Sequence, residues 1–324
     1  MPNITEQATS PTNTSSSLIL DELLEKSLNN QIGELEKLAS ESVHVMGRIA
    51  IKGQITVIYA EPNTGKTLIT LALISEAISN DLLSKYVFHF NIDDNLNGLI
   101  EKVHLGKRHG FQTVSANTFK IDIKEAFFQI IDQVIEDEDA SDAVFILDTV
   151  KKFTDVMDKR LSSKFMQACR RFTQVGGTII ALSHTNKHRD CDGRPVPSGT
   201  SDLKDDCDCA YTMQITDQKT DTEGNTEYIV EFNQIKSRGP SVEQATYQYT
   251  KFSDYDYERM FNSVKLIDGN EADKLRIQKA QETKRNYDQP IIDEIVGLLK
   301  KKGTLNTTEL IELIPESCSR RKTE

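Results

Sequence analysis

Tryptophan is absent from the 324 residues, and only 7% are aromatic. With 8 prolines and 16 glycines, collagen-like and proline-rich low-complexity architectures are excluded. Five cysteines are too few for a disulfide framework, so a reducing cytoplasm is the expected setting. No apolar run approaches the ~18 residues that span a bilayer. Met1–Ser17 has neither the basic start nor the apolar core of a secretory leader, and no membrane association is expected. Basic charge is also in deficit: 39 Lys and Arg against 50 Asp and Glu leave a net charge of −11. That excludes coating nucleic acid by bulk charge, though not a local basic channel. Mean hydropathy is −0.46, polar for a globular protein but above what full disorder would show.

The length suggests about two domains. Residues 1–17 hold 12 Ser, Thr, Asn and Pro and read as a disordered tail. In 18–42, Leu18, Leu20, Leu23, Leu24, Leu28, Ile32, Leu35 and Leu38 recur at roughly helical spacing, with Asp21 and Glu22 in the first turns. From 43 to 268, short β-branched runs alternate with helical patterns. Strands are predicted at Ile55–Tyr59, Tyr86–Phe90, Ala143–Leu147, Gly177–Leu182 and Tyr211–Ile215, and helices at Lys66–Asn80, Asn95–Gly110, Lys124–Asp137 and Leu161–Gln174. The alternation implies an α/β fold, a mainly parallel twisted sheet with helices on both faces. Glu227–Ile235 and Ala245–Lys251 follow without a helix between them and predict an antiparallel hairpin at the sheet edge, with turns at Glu223-Gly224-Asn225 and Gly239-Pro240. Residues 269–288, dense in both charges, predict a linker helix. Pro290 is expected to open a new helix to about Lys301, and Thr307–Leu313 another. With the basic Arg320, Arg321 and Lys322, residues 289–324 read as part of a winged helix, whose third helix would enter DNA.

The sharpest motif is Ala60-Glu61-Pro62-Asn63-Thr64-Gly65-Lys66-Thr67, after a strand and opening a helix. In that context the backbone of Glu61, Pro62, Asn63, Thr64 and Gly65 surrounds the phosphates of ATP. Lys66 reaches the β/γ-phosphates and Thr67 holds Mg²⁺. Ala60 stands where the pattern wants glycine, which is tolerable if its φ is negative. Asp148 ends the apolar run Ala143–Leu147 and faces the crevice at the strand tips, where it holds Mg²⁺ through water or, more plainly, caps a turn. Asp93-Asp94 ends the strand before it. Asp93 is the candidate for orienting or deprotonating the attacking water, the alternative being a helix cap.

Together with Ile146-Leu147-Asp148-Thr149, Ser183-His184-Thr185-Asn186-Lys187, Ser198–Leu203, Asp205–Asp208 and Lys236-Ser237-Arg238-Gly239-Pro240, these motifs stand in the order found in RecA-like hexameric ATPases. Over about 43–250 the chain resembles plasmid and phage replicative helicases of the RepA type, with Asp93 where the family usually has Glu. The resemblance implies a homo-oligomeric ring, a hexamer, that moves on single-stranded DNA, with a replication initiator or primase as further partners. It implies that His184 senses the γ-phosphate. Lys236 and Arg238, two residues apart on a strand, would enter the neighbouring subunit's ATP site, or else remain solvated edge charges. It places Lys151 and Lys152, and Lys187, Arg189 and Arg194, on channel loops that grip the strand, with ordinary surface charge as the alternative. The 184–204 stretch shows no periodicity and is expected to be a functional loop. Cys191, Cys207 and Cys209 lack paired C-x₂-C spacing, so no zinc site is expected. Two rivals stay open: a RecA-like regulatory or recombination ATPase that does not unwind, and a non-catalytic DNA-binding initiator holding ATP as a structural ligand.

Overall fold

The structure is a computed structural model describing residues 14–25, 27, 29, 32–33, 43–136, 140 and 142–304. These fall into two compact units, one within Met1–Ala245 with Tyr249–Val264, the other within Thr246–Gln248 with Lys265–Glu324.

In the first unit, helix α1 spans Thr14–Glu25, so it begins inside the 1–17 segment expected to be disordered. The strands are β1 (His44–Met46), β2 (Ala50–Ile51), β3 (Ile55–Ala60), β4 (Val87–Asn91), β5 (Gln112–Val114), β6 (Val144–Asp148), β7 (Thr178–Arg189), β8 (Pro195–Pro197), β9 (Cys209–Thr220), β10 (Thr226–Ser237) and the ends of β11 (Gln244–Lys251). The helices are α2 (Lys66–Ser79), α3 (Leu96–His109), α4 (Ile123–Glu136), α5 (Lys159–Gln174), α6 (Asp202–Asp206) and α7 (Tyr257–Asn262). The sheet runs in the order β11-β10-β9-β3-β7-β6-β4-β5. From β9 to β5 every neighbouring pair is parallel. All residues of β3 and β6 are buried, as strands covered on both faces must be. Val57, Tyr59, Phe145, Leu147 and Ala181 pack with Phe127 and Ile131 of α4 and Phe165, Met166 and Phe172 of α5. Ile58, Ile146 and Ile180 alternate with them and are buried on the opposite face.

Strands β10 and β11 lie side by side in the sheet, as expected of Glu227–Ile235 and Ala245–Lys251. Three features depart from expectation. First, β10 also forms an antiparallel hairpin with β9, turning at Asp221–Asn225 with Gly224 at φ 82°. The expected Glu223-Gly224-Asn225 turn is therefore right, but it joins a longer β9 to β10. The end of β9, Asp217–Thr220, is polar and exposed, so it carries no apolar alternation to read. Second, 184–204 is not one irregular loop: β7 continues to Arg189 and pairs antiparallel with β8. Asp190 closes the turn by accepting from the amides of Asp192 and Arg194. Third, the short β5 was not expected at all.

Asp208 fastens the lower ends of this sheet. Its side chain accepts from the Ile55 amide at 2.9 Å and from both terminal nitrogens of Arg170 on α5, each at 2.9 Å. Asp208 is 6% exposed, so losing Arg170 leaves a nearly buried charge with only the Ile55 amide and a long contact to Arg238 at 3.7 Å. Arg170→Ala is expected to cost about 2–3 kcal/mol, below the ~3–5 of a fully buried pair because Arg170 is partly exposed. Urea denaturation checks this, and an unchanged midpoint would contradict it.

In the second unit, β12 (Lys265–Ile267) pairs antiparallel with Thr246–Gln248. Asp268 then caps α8, accepting from the Asn270 amide, and the helix runs unbroken over Gly269–Lys302 with Pro290 inside it. The expected separation into a linker helix and a new helix at Pro290 is thus corrected. One proline removes one ladder hydrogen bond, and the Ala-, Glu-, Lys-, Gln- and Arg-rich flank is a strong enough helix former to continue. The expected helix at Thr307–Leu313 and the basic Arg320–Lys322 lie outside the described residues. Among those described, no helix is long and apolar enough to cross a membrane.

Candidate functional site

Strands β3, β6 and β4 end at the same, C-terminal end of the parallel sheet, while β7 runs on between β3 and β6. Ala60 closes β3 with Cα partners His184 and Met213 and needs no positive φ, so the departure from glycine is harmless there. The following loop turns through Asn63 at φ 63° and Gly65 at φ 85° and enters α2 at Lys66. Thr64 Oγ1 donates to Glu61 O and braces the turn. A methyl group built on Gly65 would lie 2.7 Å from Tyr249 Cε1, so the glycine is required both by its φ and by that ring. Gly65→Ala is expected to strain the loop by about 1–2 kcal/mol or more and to weaken nucleotide binding with it. Calorimetric titration with ATP checks this, and wild-type affinity would contradict it.

Glu61, Pro62, Asn63, Thr64, Gly65, Lys66, Thr67, Asp93 and Asp148 line a single cleft of about 500 Å³. Thr67 Oγ1 donates to Asp148 Oδ2 at 2.6 Å, and His89 Nε2 lies 3.4 Å from the same oxygen. Burial alone would push the Asp148 carboxyl up. The His89 and Thr67 hydrogen bonds, with the Lys66 charge, instead bring it below the usual range, and it is ionised at neutral pH. Lys66 Nζ donates to Ser183 O at 3.2 Å. Burial lowers its ammonium pKa, against the pull of Asp148. The chemistry of Thr67 and Asp148, a hydroxyl and an ionised carboxylate side by side, fits a hard divalent cation.

Asp93 is tied down. Lys152 Nζ lies 2.6 Å from its Oδ1 and Lys151 Nζ 3.6 Å from its Oδ2, while Thr149 Oγ1 donates to Oδ2 at 3.2 Å. Desolvation raises its carboxyl, but the Lys152 hydrogen bond and the two lysine charges outweigh that and lower it. Asp94 bonds elsewhere, to Asn91 Nδ2 at 2.9 Å and to Lys102 Nζ at 2.7 Å.

No protein-family model and no curated protein matches this chain.

The remaining sequence-selected residues do not line the cleft. His184 is beside it in register with Ala60. Its Nδ1 is buried without a hydrogen-bond partner, and burial, then the Lys66 and Lys151 charges, lowers its pKa. Arg189 Nη2 bonds Glu61 Oε1 at 2.7 Å, Arg194 faces Asp192 at 3.9 Å, and Lys187 is exposed on β7. Lys236 Nζ donates to Lys204 O at 2.8 Å and to Asp205 O, and Arg238 reaches Asp205 O at 3.3 Å and Asp208 Oδ1 at 3.7 Å. Both residues therefore make their contacts within the chain itself.

Sequence reasoning missed part of the cleft. Tyr228, Tyr249, Lys251, Tyr257 and Met260 line it from β10, β11 and α7. The rings of Tyr228 and Tyr249 stack with centroids 5.1 Å apart, and the Tyr257 hydroxyl is buried without a partner. No local signal marks these residues, because the topology brings them from far along the chain. His89 was findable as the one ionisable side chain in Val87–Asn91. Among the described residues no group of three or more His, Cys, Asp or Glu could hold a metal ion.

Proposed function

We propose that this chain is a RecA-like P-loop ATPase that assembles into a ring, a hexamer, and couples ATP hydrolysis to movement on single-stranded DNA, as a replicative helicase of a mobile element does. One observation carries the reading: a buried lysine at a helix start, a hydroxyl on an ionised carboxylate, and a second carboxylate converge at the tips of parallel strands around one cleft.

In this reading the Asn63–Gly65 backbone and the N-terminus of α2 hold the phosphates, since unpaired N–H groups and the helix dipole attract anions. Lys66 neutralises β/γ-phosphate charge. Thr67 and Asp148 would hold Mg²⁺, which supplies charge neutralisation on the phosphates when bound. His89 orients the Asp148 carboxylate. Asp93 orients the attacking water or takes its proton. The aromatic end of the cleft, Tyr228, Tyr249 and Tyr257, fits a nucleobase. His184, next to the loop, relays the state of the γ-phosphate. The basic turn at Lys151–Lys152 and the β7–β8 hairpin with Lys187, Arg189 and Arg194 contact the strand. A replication initiator or primase is the expected partner, and the cytoplasm the expected compartment.

A second reading keeps the ATPase but not the unwinding, as in a regulatory or recombination ATPase. The engagement of Asp93 by Lys151, Lys152 and Thr149 favours it, because a restrained base implies slow intrinsic turnover.

The deciding measurement is ATP turnover with and without single-stranded DNA, beside strand displacement and a light-scattering mass with nucleotide bound. DNA-stimulated turnover with displacement is expected; stimulation without displacement gives the second reading. Asp148→Asn is expected to retain nucleotide yet lose Mg²⁺-dependent hydrolysis. Phosphate release no faster than background with DNA and Mg²⁺ present would sink both readings and leave a binding protein that holds ATP structurally.

A further inference from the structure

Two groups selected for different tasks touch each other: the candidate base, Asp93, and the candidate strand contacts, Lys151 and Lys152. We propose that Lys151 and Lys152 form one cationic site for which Asp93 and the phosphates of a single DNA strand compete, so that strand binding releases the carboxylate for hydrolysis. The proposal rests on the DNA-stimulated ATPase reading above and names the contact that would carry the stimulation.

The geometry suits an exchange of partners. Asp93 follows β4 and the lysines follow β6, adjacent parallel strands in which Asn91 pairs with Asp148. The turn that presents the lysines is fixed. Val150 and Phe153 are buried at 0% and 1% exposure, and the amides of Lys152 and Phe153 donate to Thr149 O and Val150 O. The side chains on both sides of the contact are open to solvent, Lys151 at 49% exposed, Lys152 at 39% and Asp93 at 33%, so a strand can reach them. Release therefore needs side-chain rotation, with the backbone in place. Ion pairs this open to water are weak and screened by salt, so a closely spaced row of phosphates can displace a single carboxylate. Two ammonium groups on one carboxylate also leave an excess positive charge that attracts the strand before exchange. Once freed, Asp93 loses the charges that hold its proton affinity down and becomes a better base for water.

A second contact has the same form. Arg189, on the other basic segment, bonds Glu61 of the phosphate loop at 2.7 Å. Both segments selected as strand contacts thus neutralise carboxylates that line the cleft.

Coupling of this kind is reciprocal: if the strand frees Asp93, removing the Asp93 charge must strengthen strand binding. The test uses the full chain without nucleotide and a fluorescein-labelled 20-nucleotide oligothymidylate, read by anisotropy at fixed salt. Asp93→Asn is expected to bind about threefold to fivefold tighter than wild type, the worth of an exposed ion pair. Asp93→Ser serves as a second variant should the first not fold. The gain must vanish when Lys151→Ala and Lys152→Ala are already present. A gain that persists without the lysines reflects net charge alone and overturns the proposal, as does unchanged affinity. In a turnover assay, Lys151→Ala/Lys152→Ala is expected to hydrolyse ATP faster than wild type when no DNA is present and to respond little to added strand. A DNA-free rate at or below wild type overturns the release step. The two failures are separable: a wild-type chain that binds no oligothymidylate sinks the DNA reading and this proposal together. Strand binding with stimulated turnover but no Asp93 effect sinks this proposal alone.

Discussion

Lys66→Ala is expected to abolish ATP turnover and to weaken nucleotide binding. Lys66 is the first residue of α2, 8% exposed, with its ammonium directed to Ser183 O midway along the neighbouring β7. An ammonium held in place before the reaction stabilises charge that grows on the transferred phosphoryl group. Removing one such donor typically lowers turnover ~10²–10³-fold. A charge-assisted hydrogen bond is worth about 1.5–3 kcal/mol, so affinity falls at least about tenfold. The other cations near the cleft are placed differently, Lys102 on Asp94, Lys151 and Lys152 on Asp93 and Lys251 over the Tyr255 ring, and none stands at the start of α2. The variant should nonetheless fold, because a partly desolvated ammonium is removed and the helix gains alanine at its start. Calorimetric titration, a thermal melt and single-turnover hydrolysis separate these effects. Wild-type turnover in a folded Lys66→Ala protein would refute the site assignment outright.

How much of this site was readable along the chain depends on how local each signal is. The loop between β3 and α2 was legible because its requirements are consecutive: a β-branched strand, residues that accept positive φ at 63 and 65, then a lysine on a helix start. Strands β3, β4 and β6 were legible because burial on both faces writes an apolar run. The short β5, β8 and β12 were not, since three residues make no period. The long β7 and β9 were cut short in the reading, because their outer ends are exposed and polar, whereas β10 was legible nearly from end to end. Side-chain pairing was the least legible. Nothing in Asp93 or in Lys151-Lys152 announces the other, 58 and 59 residues away along the chain. Their meeting follows from β4 and β6 lying side by side, which is a property of strand order. Tyr249 shows the same limit: it reads as an ordinary strand aromatic, yet its edge lies against Gly65.

Arg238 bears on whether the chain works alone or in a ring. In its own subunit it makes two long contacts, to Asp205 O at 3.3 Å and Asp208 Oδ1 at 3.7 Å, and its side chain is 53% exposed. Such contacts contribute at most about 1 kcal/mol, and Asp208 keeps Arg170 and the Ile55 amide without it. Arg238→Ala should therefore fold and bind ATP nearly as wild type does. If the arginine completes a neighbour's site, turnover nonetheless falls ~10³–10⁵-fold, the worth of an arginine finger, or about 4–7 kcal/mol of barrier. A loss of turnover without loss of affinity marks a transition-state contact. Raising protein concentration should not restore it. Mixing Arg238→Ala with Lys66→Ala supplies the sharper reading. One subunit type then carries a working phosphate loop and the other a working arginine, so interfaces that combine them recover activity that neither protein has alone. An arginine acting within its own subunit, or only bracing Asp205–Asp208, gives no recovery. Absence of recovery in oligomers shown by mass to be mixed would sink the trans assignment, and a wild type that stays monomeric with ATP and DNA would sink the ring.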